Sequence, residues 1–127
     1  MTPLVLNENN FNQTIDASPF IIIDFWTDWC GPCKQFAPVF EAAAAKHSDI
    51  VFAKIDADAE RGLTNSFNVS SIPTLVIIRE KIMVVRETGS LSSAELEKLI
   101  EHARILDLED IRTEIAAHEG DEDATDW

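Results

Sequence analysis

The sequence predicts an α/β fold in which helices flank a central mixed β-sheet. Runs of β-branched and aromatic residues alternate along most of the chain with segments whose apolar residues recur every three or four positions. This alternation is typical of parallel strands joined by helices. After residue 73 two β-rich segments follow each other directly, which indicates an antiparallel hairpin. The predicted order of elements is βαβαβαββα in a single domain.

The first half of the chain supplies two strands and two helices. Residues 4–6 predict a brief strand, and the polar segment 7–17 has apolar residues four positions apart, which suits a short amphipathic helix. Residues 20–26 form an almost continuous apolar run, the pattern of a strand that is covered on both faces. From Pro32 onward apolar residues recur at helical spacing, and four consecutive alanines raise helix propensity. A long helix is therefore predicted after the central strand.

The second half completes the sheet and covers it. Residues 50–55 form another buried-strand run, and residues 60–67 predict a short helix. Two β-rich segments, 74–78 and 82–85, are separated by three charged residues and predict the hairpin. A capping-box spacing that begins at Ser92 then opens an amphipathic helix.

Charge and hydropathy exclude several classes of partner. The formal net charge is −13, which makes binding to nucleic acid phosphates or to an anionic membrane surface electrostatically unfavourable. The most apolar run, residues 20–25, is too short to cross a bilayer and contains Asp24. Residues 1–10 lack the basic segment of a secretory signal. We therefore expect a cytoplasmic protein that binds neither nucleic acid nor membrane.

The two cysteines of the chain, Cys30 and Cys33, are separated by two residues, at the point where the predicted central strand ends and a helix begins. Thiols at this spacing can close a small reversible disulfide, and a helix N-terminus lowers the pKa of the first one. A zinc site is the alternative, but zinc takes about four ligands. The histidines His47, His102 and His118 are scattered in charged segments, where we expect them to be solvated. The sequence thus favours thiol–disulfide exchange, with neither a metal nor a cofactor beyond the disulfide.

Four motifs resemble those of the thioredoxin family in order and spacing. They are Asp24-Phe25-Trp26, Trp29-Cys30-Gly31-Pro32-Cys33-Lys34, Ile72-Pro73-Thr74 and Gly89. The resemblance covers roughly residues 3–105 and implies the thioredoxin fold. It also implies a protein-disulfide reductase that receives electrons from a flavin-dependent thioredoxin reductase and passes them to oxidised proteins. We expect this protein to be a monomer. A thioredoxin-like adaptor or chaperone, directed by its acidic tail, is the alternative function.

Four residues are expected to carry the chemistry. Cys30 is predicted to be the attacking thiol, because it precedes the helix and is expected to be the more exposed cysteine. Cys33 is predicted to be the resolving thiol. Asp24 lies inside an apolar strand, so burial should raise its pKa; the resemblance implies that it assists the deprotonation of Cys33. Lys54 matches the family lysine that approaches this aspartate.

The dipeptide between the cysteines indicates the direction of electron flow. Gly31-Pro32 brings no positive charge that would further stabilise the Cys30 thiolate, as a histidine there would. This favours a reductant. A disulfide-forming oxidant is a third reading, but it conflicts with this dipeptide and with the lack of a recognisable signal peptide.

The resemblance also implies a shallow surface that contacts substrate around the cysteines. The Ile72–Pro73 bond is expected to be cis and to expose backbone that pairs with an extended substrate segment. Ser71 replaces a common glycine and Thr88 a common valine, which makes this surface more polar than is usual in the family. The residues expected to form it are Trp29, Gly31, Pro32, Ser71, Ile72, Pro73, Thr88 and Gly89.

The chain is expected to divide into a thioredoxin-like domain, residues 1–106, and an acidic extension, residues 107–127. The extension holds nine acidic residues against one arginine and so carries −8 of the net charge. Apolar residues at helical spacing predict a helix over residues 108–118, followed by a disordered tail. Three arrangements of this helix are open: it packs on the domain, binds a partner, or remains exposed.

Overall fold

The computed structural model describes residues 3–119. A five-stranded mixed sheet forms the centre of the fold. The predicted order of elements is confirmed, and one further helix follows it. The predicted tail beyond residue 119 lies outside the described residues. The elements are β1 (Leu4–Val5), α1 (Phe11–Ala17), β2 (Phe20–Trp26), α2 (Gly31–Lys46), β3 (Val51–Asp56), α3 (Arg61–Ser66), β4 (Thr74–Arg79), β5 (Ile82–Thr88), α4 (Ser93–Ile105) and α5 (Leu108–Glu119).

The sheet has the strand order β1-β3-β2-β4-β5. β1 and β2 both run parallel to β3, whereas β4 is antiparallel to β2 and β5 is antiparallel to β4. The predicted parallel core with an antiparallel hairpin is therefore present. In residues 3–119 no helix is long and apolar enough to cross a membrane.

β2 is the central strand and is buried on both faces. Because successive side chains point to opposite faces, Phe20 and Ile22 pack against α2 and α4, while Ile21, Ile23 and Phe25 pack against α1 and α3. Two apolar layers result, one on each side of the sheet. By the same alternation, position 24 faces the layer beneath α2.

A network of polar side chains joins the end of α2 to α4. The guanidinium of Arg104 donates to both carboxylate oxygens of Asp49, at 2.7 and 3.0 Å, and to Nδ1 of His47 at 3.1 Å. Since arginine can only donate, Nδ1 must accept, and Nε2–H of His47 donates to Glu97 at 2.8 Å. The expectation that His47 would be solvated is wrong: its side chain is only 14% exposed, because it fills the junction of two packed helices.

α5 lies against the domain through its first turns. Asp107 caps the helix, since its carboxylate accepts the backbone N–H groups of Glu109 and Asp110. Leu108 is buried, at 8% exposed, and Arg112 bonds at 2.9 Å to Glu80 in the β4–β5 turn. Ile115 remains 40% exposed. The helix is thus attached at one end of the sheet, and its apolar face is only partly covered.

Replacing Arg104 by methionine should destabilise the fold, because it removes the bonds to Asp49 and His47 while keeping a side chain of similar length. We expect a loss of about 1 kcal/mol in the free energy of unfolding, measured by urea denaturation. Arg112→Met is the matched control: its bond to Glu80 involves no half-buried partner comparable to His47, so its loss should cost less. Equal losses in the two variants would show that the network contributes no more than an ordinary surface pair.

Candidate active site

The two cysteines lie where β2 ends and α2 begins. Cys30 is the N-cap residue of α2, and its Sγ accepts the backbone N–H of Cys33 at 3.2 Å. Pro32 occupies the first turn of the helix, where a missing N–H costs nothing. The cysteines form a disulfide, and their Cα atoms are 5.2 Å apart. The CxxC spacing therefore produces the reversible bond that the sequence predicts.

The N-terminus of α2 favours negative charge on Cys30. Unpaired N–H groups and the helix dipole stabilise an anion at this position. The first turn of α2 contains no acidic residue that would oppose this effect. The helix end itself therefore favours the thiolate form of Cys30.

The prediction that Cys30 would be the more exposed cysteine is wrong for the disulfide form. Both cysteines are 4% exposed. The disulfide holds the two sulfurs together at the first turn of α2. The two cysteines are therefore equally buried, although one precedes the other along the helix. The difference between them lies in the helix N-terminus, where Cys30 is the cap.

Asp24 is a fully buried carboxyl on the side of β2 that faces α2. It is 0% exposed, and neither of its oxygens has a hydrogen-bond partner among residues 3–119. Burial raises its pKa from an ordinary 3.8 to about 7, and the positive charge of Lys54 partly opposes this rise. A carboxyl with a pKa near neutrality can both accept and return a proton at physiological pH.

Lys54 is the neighbour of Asp24 across the β2–β3 pair, but its ammonium points elsewhere. It lies 5.0 Å from the centre of the Trp26 ring, a cation–π distance. No ion pair joins Lys54 to Asp24 within the described part of the chain. The lysine therefore acts on the carboxyl through charge at a distance, and not through a hydrogen bond.

A cleft of about 140 Å³ opens beside Cys33. Cys33 lines this cleft and Cys30 does not. Thr27, which sequence reasoning did not single out, contributes to it and is only 2% exposed. The residues that line the cleft are Trp26, Thr27, Asp28, Cys33, Lys34, Ala37 and Lys54.

A second group of predicted residues lies at the same end of the sheet. Thr74 pairs with Phe25 in the β2–β4 register, so the preceding Pro73 lies close to the end of β2 from which the cysteine segment departs. The Ile72–Pro73 bond is cis, as the resemblance implies. The N–H of Gly89 donates to the carbonyl of Pro73 at 2.8 Å, and Gly89 has φ +102°, which favours glycine.

Trp29 is a large apolar side chain that is 70% exposed. Its indole N–H donates to the carboxylate of Asp58 at 2.7 Å, which holds the ring over the loop after β3. Sequence reasoning missed Asp58, since nothing local links it to a residue 29 positions earlier. Among residues 3–119, no cluster of three or more His, Cys, Asp or Glu side chains could hold a metal ion.

The chain matches the thioredoxin family model over residues 2–102. It is 47% identical over 111 residues to putative thioredoxin 2 of Streptomyces coelicolor, covering 87% of this chain and 83% of that protein. It is 43% identical over 102 residues to thioredoxin C-3 of Corynebacterium nephridii, covering 80% and 70%. A solved structure of Plasmodium falciparum thioredoxin superposes with a TM-score of 0.73 at 30% identity, covering 78% of this chain and 97% of that one.

These similarities span the segment that contains both cysteines, the cis-proline and the whole sheet. The redox-active pair at the start of α2 is the chemical feature that such proteins use for dithiol–disulfide exchange. The chain belongs to the thioredoxin family and is a thiol–disulfide oxidoreductase.

Proposed function

We propose that the protein reduces disulfides of oxidised proteins in two exchange steps. The observation that carries this proposal is the position of Cys30 as the cap of α2, bonded to Cys33 one turn further on. The Cys30 thiolate attacks one sulfur of the substrate disulfide, and the other leaves as a thiolate. Cys33 then loses its proton and attacks the Cys30 sulfur, which releases the second substrate thiol. Two electrons pass to the substrate, and the Cys30–Cys33 disulfide remains.

Asp24 is the proposed acceptor of the Cys33 proton. Its location beneath α2 and its pKa of about 7 support this role, since the carboxylate form is available near neutral pH. Lys54 would modulate it, because its charge favours the ionised carboxyl. The cleft beside Cys33 would let solvent take the proton onward.

The proposed contact surface for substrate surrounds the disulfide at this end of the sheet. Its support is the exposure of Trp29 and the position of the cis bond and Gly89 beside the end of β2. An extended substrate segment would pair with the backbone before Pro73. The proposed contact residues are Trp29, Gly31, Pro32, Ser71, Ile72, Pro73, Thr88 and Gly89.

Family membership supports a proposal for the partners and the location of the protein. A flavin-dependent thioredoxin reductase is the proposed electron donor, and oxidised proteins are the proposed acceptors. We propose that the protein acts in the cytoplasm as a monomer. Residues 1–106 would suffice for the chemistry, and residues 107–127 would influence the choice of partner.

Exchanging each cysteine for serine should separate the two steps. Cys30→Ser should abolish disulfide reduction, because only the thiolate at the helix N-terminus attacks substrate. Cys33→Ser should attack and then stall as a mixed disulfide, because no neighbouring thiol releases the product. Mass spectrometry after incubation with an oxidised protein measures the adducts. Adducts on Cys30→Ser and none on Cys33→Ser would reverse the assignment of roles.

Asp24→Asn should raise stability at high pH and slow the resolving step. Between about pH 4 and 7 the folded protein binds a proton at Asp24 that the unfolded chain has released, so the free energy of unfolding falls as pH rises through this window and then levels off. The advantage of the variant should therefore grow by roughly 2–3 kcal/mol between about pH 5 and pH 8.5.

Denaturant unfolding of the oxidised proteins at both pH values measures this difference. Lys54→Met serves as the companion variant. Loss of its positive charge should raise the pKa of Asp24 further, so the fall in the free energy of unfolding should continue to higher pH. An advantage of Asp24→Asn that is the same at both pH values would contradict the burial argument.

Deleting residues 107–127 should leave the thiol chemistry intact. α5 attaches at the β4–β5 turn, and the six residues of β4 put roughly 20 Å between that turn and Pro73. The deletion removes most of the net charge, which acts over a Debye length of about 8 Å at physiological salt. The truncated protein should reduce hydroxyethyl disulfide at nearly the full rate but differ towards a basic protein at low salt.

Leu108→Ala is the control for attachment, because it weakens the packing of α5 without changing the charge. It should not reproduce the salt-dependent difference. A tenfold loss of the rate with hydroxyethyl disulfide after truncation would show that the extension belongs to the active site.

A further inference from the structure

The loop between α3 and β4, residues 67–73, carries Ser71, Ile72 and Pro73 of the proposed contact surface; we name it the α3–β4 loop. It begins at the end of a helix of only six residues. Such a short helix has little stability of its own. The geometry of the loop therefore depends on contacts from elsewhere in the fold.

The first residues of the loop close α3 in a Schellman motif. Asn68 adopts the left-handed conformation with φ +56°. Its N–H donates to the carbonyl of Asn65 at 2.9 Å, and the N–H of Val69 donates to the carbonyl of Thr64 at 3.2 Å. The carbonyls of Phe67 and Asn68 take no part in these bonds and are available to other donors.

Arg86 of β5 supplies both donors. Its Nη1 bonds to the carbonyl of Phe67 at 2.6 Å, and its Nη2 bonds to the carbonyl of Asn68 at 2.7 Å. Arg86 pairs with Val76 in the β4–β5 register, and Val76 lies in the core layer beneath α1 and α3, so the guanidinium reaches the side of the sheet where α3 ends. One rigid fork thus holds two consecutive carbonyls.

The chain offers α3 no local substitute for this arginine. The last turn of α3 contains no basic residue, although a positive charge there is favourable at the negative end of a helix. The chain has 23 acidic residues against 10 basic ones. Even so, the two hydrogen bonds that the structure gives Arg86 go to carbonyls and not to a carboxylate.

β5 thereby holds the α3–β4 loop at both of its ends. At the start, Arg86 binds the carbonyls of Phe67 and Asn68. At the end, Gly89 just beyond β5 donates its N–H to the carbonyl of Pro73. The ring of Phe67 adds a third restraint, since it packs 5.3 Å from the centre of the Phe25 ring.

We propose that Arg86 is a positioning residue that sets the affinity for protein substrates by holding the α3–β4 loop in its binding geometry. This inference rests on the proposed contact surface, because Arg86 acts through the backbone before Pro73. Arg86 touches neither cysteine nor Asp24 by any hydrogen bond in the structure. Its loss should therefore weaken binding of an extended segment more than it slows exchange at the disulfide.

The test measures kcat and KM for insulin reduction, with dithiothreitol as the electron donor. Arg86→Met removes the fork and keeps the aliphatic stem. We expect KM to rise about threefold to tenfold, the size of effect that follows from one or two lost hydrogen bonds, while kcat stays within about twofold. Arg86→Lys keeps the charge but cannot hold both carbonyls, and should give an intermediate KM.

Arg79→Met is the matched control. Arg79 also donates to two consecutive carbonyls, those of Ala103 and Arg104, but at the opposite end of the sheet. It should lower stability and leave KM near the unchanged value. Should Arg86→Met fail to fold, the comparison of Arg86→Lys with Arg79→Met decides the question.

Two results would overturn the role of Arg86 but leave the contact surface intact. In the first, Ile72→Ala raises KM while Arg86→Met leaves it unchanged. In the second, Arg79→Met raises KM as much as Arg86→Met does. If neither Arg86→Met nor Ile72→Ala changes KM, the contact surface itself is wrong, and the inference fails with it. A raised KM in Arg86→Met and Ile72→Ala, with Arg79→Met unchanged, supports both.

Discussion

The burial of β2 on both faces is the constraint on which the rest of the structure depends. A strand in the middle of the sheet must be apolar almost throughout, and every residue from Phe20 to Phe25 is buried. Asp24 is the one ionisable residue in this run, and it is as buried as its apolar neighbours. Its carboxyl has no hydrogen-bond partner among the described residues. An unpaired carboxylate in such a place is costly, so the protonated form is favoured. The strand that stabilises the fold therefore also raises the pKa of the Asp24 carboxyl, which faces the α2 side of the sheet.

The same strand determines where the thiols lie. Because β2 ends at Trp26 and α2 begins at Gly31, only four residues separate the core from the helix N-terminus. Cys30 is the last of them and becomes the cap. The Cys30 sulfur thus gains the electrostatic effect of a helix end, while Cys33 lies one turn further on, beside the cleft and on the Asp24 side of the sheet. The short connection between β2 and α2 therefore gives the two cysteines different environments: Cys30 caps the helix, and Cys33 lines the cleft.

The sequence predicts the features that depend on local pattern. Periodicity identifies the strands and helices, and the spacing of Ser92 and Glu95 predicts a capping box that the structure contains. Features that depend on distant residues could not be predicted. The side chain of His47 is held by Glu97 and Arg104, 50 and 57 positions away, and Lys54 turns to Trp26 because a ring of the neighbouring strand is within reach. Arg86 is an ordinary strand residue until the fold brings the end of α3 beside it.

The two ends of the sheet therefore differ in what they are built to do. At the end with the turn between β4 and β5, charged side chains form ion pairs, and the acidic helix α5 attaches there through Leu108 and Arg112. At the other end most of the hydrogen bonds described involve backbone groups. They are the bond at the helix N-terminus to Cys30, the bond from Gly89 to Pro73, and the bonds from Arg86 to two carbonyls. These bonds fix the backbone around the disulfide, while charge at the distant end of the sheet can alter encounter rates without changing the chemistry.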